Sequence, residues 1–407
     1  MTVETLPRQS KPSAAQSGGL GRRQVHAVAA CYFVASFAAL GLPPYLTAIL
    51  PGLGDPQARW AGVLYIVPTV FSGIGAPLWG RLADRFGRKR LLLRAQLGLT
   101  VSFLLAGAAD SLPAFALALV LQGFLGGTFA ATNGYLAAAL DGSRLSRALT
   151  LMQGSARAAL VAAPILVGAL SPWIDPHRQY LVMGVLPLTA AVFLSLLPEP
   201  ECPEAPEATA GRAPEKTVTA SLLTLYVFEF AFVFATVISF PYLIALAEQR
   251  LPGVDGITTG VLFALPHLCY LVFAARTHTV FDSRPHTGIA LGFGFVALGL
   301  AGHAVACSLP VFIAVRLLLG AGLTLGLVCL AVLAAGAAKG RAPGRMFGTL
   351  ELVSKGGAVA AGAVAALVNG RFGAAAPVVA GTAAALLAAV AATALTLPSL
   401  RQRWSRR

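Results

Sequence analysis

Long apolar segments separated by short polar connections run along almost the whole chain. We place twelve of them, approximately at 25–50, 58–79, 91–109, 113–137, 148–170, 180–197, 219–246, 257–275, 287–306, 310–335, 346–368 and 375–397. A helix needs about 20 residues to cross the ~30 Å hydrocarbon core of a bilayer, so each segment is long enough to span it, some with tilt. The pattern therefore predicts an all-α membrane protein with twelve transmembrane helices.

A Pro- and Glu-rich stretch interrupts this pattern midway. Residues 198–218 have little apolar surface to bury, so we predict a flexible cytoplasmic linker there. The chain then divides into a cytoplasmic N-terminal tail (1–24), a six-helix half (25–197), a second six-helix half (219–397) and a basic cytoplasmic tail (398–407). The first tail has no convincing signal-peptide cleavage site, and we expect it to be retained.

The composition agrees with an integral membrane protein. Of the 407 residues 57% are hydrophobic and only 11% are charged, whereas soluble domains carry about 25% charged residues. The net charge of +14 comes from basic residues concentrated in the loops predicted on one side, which is the positive-inside rule and argues against a nucleic-acid partner. The five cysteines have neither metal-ligand spacing nor a disulfide pattern, so we predict no metal and no cofactor.

The densest cluster of charges connects the second and third apolar segments. It runs from Gly80 to Arg90 (GRLADRFGRKR), and five basic residues in so short a connection place it on the cytoplasmic side. The two glycines suit a helix end and a tight turn, and Asp84 can accept hydrogen bonds from free backbone N–H groups and from neighbouring arginines. A connection that only set the topology would need Lys or Arg alone.

This connection resembles the loop signature between the second and third spans of the major facilitator superfamily of secondary transporters. The matching positions are Gly80, Leu82, Asp84, Arg85, Gly87, Arg88 and Lys89. The resemblance implies two six-helix halves related by a parallel pseudo-two-fold repeat, with the substrate path between them. It also implies alternating access, with a cytoplasmic gating loop that stabilises one state and contains Gly80, Asp84, Arg85, Gly87 and Arg88.

Internal matches agree with such a repeat. The segment GVLYIVP at 62–68 recurs as GVLFALP at 260–266, an offset of 198 residues. The tripeptide Pro-Tyr-Leu at 44–46 recurs at 241–243, an offset of 197 residues. Several matches at nearly one offset are not expected by chance, even in a chain rich in Ala, Leu and Gly.

Five charged residues lie well inside predicted spans. A charge near the bilayer centre costs at least ~2.5–3.5 kcal/mol on insertion scales, so each is a functional candidate. They are Arg157, Glu229, Arg316, Glu351 and Lys355. Three are basic and two acidic, and a net positive cavity favours a carboxylate-bearing substrate over a purely cationic drug.

Glu229 and Arg316 are the candidates for proton coupling. Glu229 lies near the middle of the seventh span among aromatic and aliphatic residues, which penalise a permanent charge, so we predict that its carboxyl exchanges protons. Arg316 in the tenth span is predicted at a similar depth and within reach of Glu229, whose proton exchange it would tune. A static ion pair that only holds the second half together remains the alternative.

A second polar pattern repeats between the fifth and eleventh spans. Gln153 and Arg157 correspond, 198 residues later, to Glu351 and Lys355. Spacing i, i+4 puts both members of a pair on one helix face. We assign these four residues to the substrate cavity, while a self-satisfied Glu351–Lys355 ion pair stays open. Four further candidates for that cavity are Gln122, Asn133, Tyr135 and His267.

The leading functional prediction is proton-coupled efflux of a small organic molecule from a bacterial inner membrane by a monomer with both termini cytoplasmic. Pro164 and Gly168 keep part of an exporter motif of the family. Similarity of 133–135 and 153–157 to siderophore exporters suggests a carboxylate-bearing, siderophore-like substrate. The alternatives are a polyspecific multidrug/proton antiporter and a proton-coupled importer of organic acids. A membrane enzyme would need clustered nucleophiles, paired carboxylates or metal ligands, and none appears in the sequence.

Overall fold

A computed structural model describes residues 20–140, 142–197, 220–338 and 343–404, and this part of the chain is helical without a β-strand. The predicted linker 198–218, residues 1–19 of the predicted N-terminal tail and residues 405–407 lie outside the described residues. The helices are α1 (Arg22–Gly41), α2 (Leu46–Ile49), α3 (Ala61–Phe86), α4 (Arg88–Ala108), α5 (Leu112–Leu125), α6 (Thr128–Ala139), α7 (Gly142–Leu170), α8 (Gln179–Ser195), α9 (Ala220–Val237), α10 (Leu243–Arg250), α11 (Gly256–Phe281), α12 (Pro285–Val305), α13 (Leu309–Ala338), α14 (Pro343–Phe372) and α15 (Ala376–Trp404).

The predicted all-α membrane fold is confirmed. Within the described residues, nine helices or helix pairs have the length and hydropathy of membrane spans. Three shorter apolar helices, Ala61–Ala76, Leu112–Leu125 and Gln179–Ser195, fall where the second, fourth and sixth spans were expected. Together they account for the twelve predicted segments. The last helix extends to Trp404, so most of the basic tail predicted at 398–407 is helical.

The two halves bend their first spans in the same way. The first span ends α1 at Gly41, turns through a 3₁₀ segment at Pro43–Tyr45 and continues as α2. The seventh span ends α9 at Val237 and turns through a 3₁₀ segment at Phe240–Tyr242 into α10. In each case a proline supplies a fixed φ and no N–H donor, which ends the α-helical hydrogen bonding. The equivalent bends agree with the repeat found in the sequence.

The fourth span is not the continuous helix that the apolar run 113–137 predicted. Helix α5 ends at Leu125 and α6 starts at Thr128, with Gly126 and Gly127 between them. Gly127 has a φ of +77°, a left-handed conformation that glycine adopts without steric cost. The prediction was wrong because Gly126 and Gly127 lie inside an apolar run that is long enough to look like one helix.

The halves approach each other closely at one end of the bundle, opposite the loop 80–90, and we call this the distal end. There α7 packs against α11, and α3 packs against α14. Glycines permit the approach: a Cβ atom at Gly62 would lie 2.6 Å from the Gly362 carbonyl oxygen, and one at Gly168 would overlap the Gly256 carbonyl oxygen. The distal end is therefore closed by direct backbone contact between the halves.

Two tyrosines from the repeated Pro-Tyr-Leu tripeptide reinforce this closure. The Tyr45 hydroxyl donates to the Pro164 carbonyl at 2.6 Å and also hydrogen-bonds Thr259 of the other half. The Tyr242 hydroxyl oxygen accepts from the Gly62 N–H at 3.0 Å, again across the halves. Each tyrosine thus stabilises one of the two helix pairs that meet at the distal end.

Candidate functional site

Ionisable and aromatic side chains from both halves meet in the middle of the bundle. They come from α1, α7, α9, α11 and α14, and we call them the central cluster: Tyr32, Arg157, Glu229, Tyr270, Glu351, Ser354 and Lys355. Arg157 and Glu229 remain partly exposed, and Glu351 is exposed. Since Arg157 and Glu229 come from different halves and both are partly exposed, the central cluster lines the space between the halves.

Glu229 of α9 lies within electrostatic range of a residue of the other half as well as residues of its own. Its carboxyl group is hydrogen-bonded by the Ser354 hydroxyl of α14, and Glu351 and Arg157 lie close enough to act on its charge. Arg157 belongs to the first half, on α7. An acidic group of one half therefore faces a basic group of the other.

Arg157 lies over an aromatic ring. Its guanidinium carbon lies 5.6 Å from the centre of the Tyr270 ring, within cation–π range, and Tyr32 and Glu229 also lie within electrostatic range. Arg157 forms no ion pair within 4 Å among the described residues. Its charge is thus offset by the face of Tyr270 and by the more distant carboxyl group of Glu229 rather than by one fixed partner.

Glu351 and Lys355 pair with each other on α14. The Lys355 Nζ lies 3.5 Å from Glu351 Oε1, and the side chains are 35% and 68% exposed. An exposed i, i+4 pair contributes only about 0.3–0.5 kcal/mol. The pair can therefore separate at little cost when a ligand approaches.

Arg316 does not reach into the central cluster. Its side chain on α13 is 0% exposed, and Nε donates to the Leu262 carbonyl at 2.6 Å while Nη2 donates to the Phe263 carbonyl at 2.8 Å. Pro266, one turn further along α11, has no N–H to donate to Leu262, so Arg316 supplies the missing donor. Without Arg316, the central cluster has two basic groups, Arg157 and Lys355, and two acidic groups, Glu229 and Glu351. The cavity therefore does not have the net positive charge that the sequence predicted.

His267 lies one residue after that proline and is almost completely buried. Its ring stacks edge-on against Phe240 and lies beside Phe263, and neither ring nitrogen has a hydrogen-bond partner. Arg157 and Arg316 both lie within electrostatic range. The structure therefore places His267 between the central cluster and the buried arginine, not on an exposed surface.

The remaining candidates for the substrate cavity are scattered. Gln153 is exposed on α7, whereas Gln122 on α5 is buried and its Oε1 has no partner. Tyr135 on α6 is 1% exposed within the apolar core of the first half. Asn133 also belongs to α6, but its side chain lies outside the described residues. Within the part of the chain that the structure describes, Gln153 and Gln122 are not among the charged and aromatic contacts of the central cluster.

The loop predicted at 80–90 is mostly helical, because α3 continues to Phe86 and α4 starts at Arg88, with Gly87 alone between them. Gly87 has a φ of +92°, which explains a glycine at this position, and Arg85 lies over the Phe86 ring at 5.2 Å. Lys89 donates to the Ser195 and Leu197 carbonyls at the end of α8. Gly80 lies within α3, and the side chains of Asp84 and Arg88 are outside the described part of the chain.

Sequence reasoning missed a polar site at the break in the fourth span. The Trp79 indole Nε1 donates to the Phe124 carbonyl at 2.6 Å, and Arg94 Nη1 donates to the Leu125 carbonyl at 2.7 Å. The Arg94 guanidinium also stacks over the Trp79 ring at 3.5 Å, and its Nη2 reaches Gly126 O at 3.4 Å. Carbonyls released by a broken helix must find donors inside a membrane, and these two side chains supply them.

The arrangement can be compared with known proteins. The sequence model of the Major Facilitator Superfamily matches residues 28–306. Among curated proteins, the multidrug resistance protein MdtG of Serratia proteamaculans (strain 568) is 35% identical over 157 residues, which is 38% of this chain and 36% of that protein. MdtG of Dickeya zeae (strain Ech586) is 32% identical over 161 residues, 38% of this chain and 39% of that protein. The alignments thus span well under half the length of these relatives.

Solved structures share the fold at low identity. A peptide transporter of the POT family in complex with sulfate has a TM-score of 0.74 and 15% identity, covering 95% of this chain and 97% of its own. The human organic anion transporter MFSD10 has a TM-score of 0.66 and 20% identity, covering 91% and 99%. A D-xylose–proton symporter has a TM-score of 0.71 and 12% identity, covering 90% and 96%. With the sequence match over most of its length, the chain belongs to the Major Facilitator Superfamily and is a multi-pass membrane transport protein rather than an enzyme.

Proposed function

We propose that this transporter exports small amphiphilic organic molecules in exchange for protons, by rocking of its two halves around the central cluster. The observation that carries the proposal is the position of Glu229 opposite Arg157, one from each half, with Ser354 bound to the carboxyl group. When the halves separate, these opposite charges part and the carboxyl group becomes free to take up a proton. Protonation and the relative position of the halves are thereby linked.

The balance of charge favours an amphiphilic substrate over a strongly anionic one. With Arg316 bound to backbone carbonyls, two basic and two acidic groups of the central cluster are left to meet a ligand. Aromatic side chains are also present: Arg157 lies over the Tyr270 ring, and Phe230 stacks on Phe234 in α9 with ring centres 6.5 Å apart. Apolar and aromatic walls with a few polar groups are typical of small-molecule sites. The MdtG relatives, named as multidrug resistance proteins, support the same substrate class.

A carboxylate-bearing, siderophore-like metabolite is the second candidate. Arg157 favours it, because this partly exposed guanidinium forms no ion pair among the described residues. A bound carboxylate would gain a charge-assisted hydrogen bond there. We propose in either case a monomer in a bacterial inner membrane, with two six-helix halves at 25–197 and 219–397 and both termini cytoplasmic.

The experiment that tests the proposal uses purified protein in proteoliposomes with an imposed pH gradient. Uptake into these proteoliposomes is followed for an amphiphilic cation, ethidium, and for a hydroxamate that carries a carboxylate. We expect gradient-driven ethidium transport by the wild type and its loss in Glu229→Gln. Glu248→Gln, an exposed carboxylate on α10, is the matched control and keeps the wild-type rate.

The two substrates separate the candidates. Ethidium transport with little hydroxamate transport supports the amphiphilic class, and the reverse supports the second candidate. Transport of either compound that keeps its dependence on the pH gradient in Glu229→Gln contradicts the coupling role of this residue.

A further inference from the structure

The outer surface of the first half carries a groove between α4 and α5. Its volume is about 480 Å³. The lining residues are Arg90, Leu93, Arg94, Leu97, Gly98, Val101 and Leu125. The groove is therefore apolar along its length and basic at one end.

The dimensions of the groove match one leaflet of a bilayer. Leu97 and Val101 are 47% and 49% exposed, so this face of α4 contacts lipid. Arg90 and Val101 are eleven residues apart, which is roughly 16 Å along a helix at 1.5 Å per residue. Half of a ~30 Å hydrocarbon core is about the same length. The groove thus extends from the level of the headgroups beside the loop 80–90 to the middle of the membrane.

The basic end of the groove has capacity for an anion. Arg90 is exposed, whereas Arg94 donates from Nη1 and Nη2 to the Leu125 and Gly126 carbonyls. No acidic residue lines the groove among the described residues, so nothing there would pair with the amine of a zwitterionic lipid.

We propose that this groove binds an anionic phospholipid, with one acyl chain along Leu97 and Val101 and the phosphate at the exposed Arg90. Basic residues at the membrane interface attract anionic headgroups in general, and here an acyl-chain path starts at the same place. Arg94 lines the same groove one helical turn from Arg90 and donates to a carbonyl at the break in the fourth span, so a headgroup at Arg90 would lie next to the donor that stabilises this break.

The test measures which lipids stay bound. Full-length protein is reconstituted in vesicles of phosphatidylcholine with one quarter phosphatidylglycerol, extracted gently, and analysed by native mass spectrometry for retained lipid. We expect the wild type to retain phosphatidylglycerol over phosphatidylcholine. Arg90→Gln should lower that ratio about fivefold, the effect of one interfacial basic residue. Leu97→Trp, which fills the apolar path, should reduce the retained lipid of both kinds.

Arg81→Gln is the matched control, because Arg81 is exposed in the same loop region but does not line the groove. It should leave the lipid ratio unchanged, and size-exclusion profiles confirm that all variants are folded. If Arg81→Gln and Arg90→Gln lower the ratio of retained phosphatidylglycerol to phosphatidylcholine equally, the basic residues attract anionic lipid without a defined site, and the proposal is wrong. The proposal is also wrong if the wild type shows no preference for phosphatidylglycerol, or if the Leu97→Trp variant keeps all its lipid.

Discussion

The Gly62 N–H donates to the Tyr242 hydroxyl oxygen at 3.0 Å, although the two residues are 180 positions apart and belong to different halves. Gly62 lies at the first turn of α3, where backbone N–H groups have no partner within the helix. Tyr242 therefore acts as a side-chain cap supplied by the opposite half. Opening of the distal end must break this hydrogen bond.

Tyr242→Phe should shift the equilibrium towards separation of the halves at the distal end. A hydrogen bond of this kind contributes about 1 kcal/mol net, so we expect about a fivefold change in the ratio of open to closed protein. Spin labels at the exposed positions 57 and 252 report this ratio as a distance distribution. Tyr180→Phe is the control: its ring is also buried, but it packs on Phe103 and Phe115 of its own half, and the distribution should not change.

The second contact of the distal end rests on glycine rather than on a hydrogen bond. A methyl group at Gly168 would overlap the carbonyl oxygen of Gly256, so Gly168→Ala should separate α7 from α11 and lower stability by about 1–3 kcal/mol. Gly154→Ala in the same helix meets no atom within 4 Å and should be neutral or slightly stabilising. Thermal unfolding in detergent compares the two variants. Equal midpoints would show that the contact between α7 and α11 accommodates the methyl group without a loss of stability.

The repeat explains why these features of the fold were visible in the sequence. The Pro-Tyr-Leu tripeptides at 44–46 and 241–243 predicted equivalent places in the halves, and both form 3₁₀ turns. Apolar segments of about 20 residues predicted the spans because a bilayer imposes that length. The break at Gly126 was not visible, since the hydropathy of an apolar run does not record φ and ψ.

The candidate site was predicted less well, for a physical reason. Depth along a span follows from residue counting, but the direction of a side chain depends on the rotation of its helix, which neighbours decide. Counting placed Arg316 and Glu229 at similar depth, yet Arg316 points at α11 and Glu229 faces α14. The role of Arg94 was not predicted because it lies close to the basic cluster 80–90, where the positive-inside rule alone accounts for an arginine.

The break in the fourth span depends on donors from neighbouring helices. Trp79→Phe removes the indole N–H that binds the Phe124 carbonyl at 2.6 Å and leaves a carbonyl inside the bundle without that donor. We expect a loss of about 1–3 kcal/mol in stability. Trp173→Phe changes an indole that is 79% exposed and should have no effect on the unfolding midpoint. A similar loss in both variants would assign the effect to the aromatic surface instead of the hydrogen bond.

Asp255 gives the distal end a pH dependence. The Thr258 N–H and hydroxyl donate to its carboxylate at 2.7 and 2.9 Å, which lowers the pKa of Asp255 below its ordinary value. A carboxyl group with a lowered pKa stabilises the fold above its unfolded pKa of about 3.9, and the contribution disappears as the pH falls through the folded value.

Asp255→Asn tests this, because asparagine can still cap α11 but does not titrate. The wild type should unfold at a higher temperature than Asp255→Asn at pH 7, and the difference should vanish at a pH below the folded pKa. A difference that is constant with pH would show that the charge of Asp255 contributes nothing through these hydrogen bonds.

Arg316 and Pro266 should be energetically coupled. Pro266 leaves the Leu262 carbonyl without its usual helical donor. Arg316 Nε donates to that carbonyl at 2.6 Å in a fully buried site. Arg316→Met keeps most of the volume but leaves the carbonyl unpaired, which should cost about 1–3 kcal/mol. Pro266→Ala restores an N–H at the correct position in α11, so the double variant should recover much of the loss. Thermal unfolding of the four proteins gives the coupling energy, and strictly additive effects would mean that Arg316 stabilises the fold in some way other than by completing the hydrogen bonding of α11.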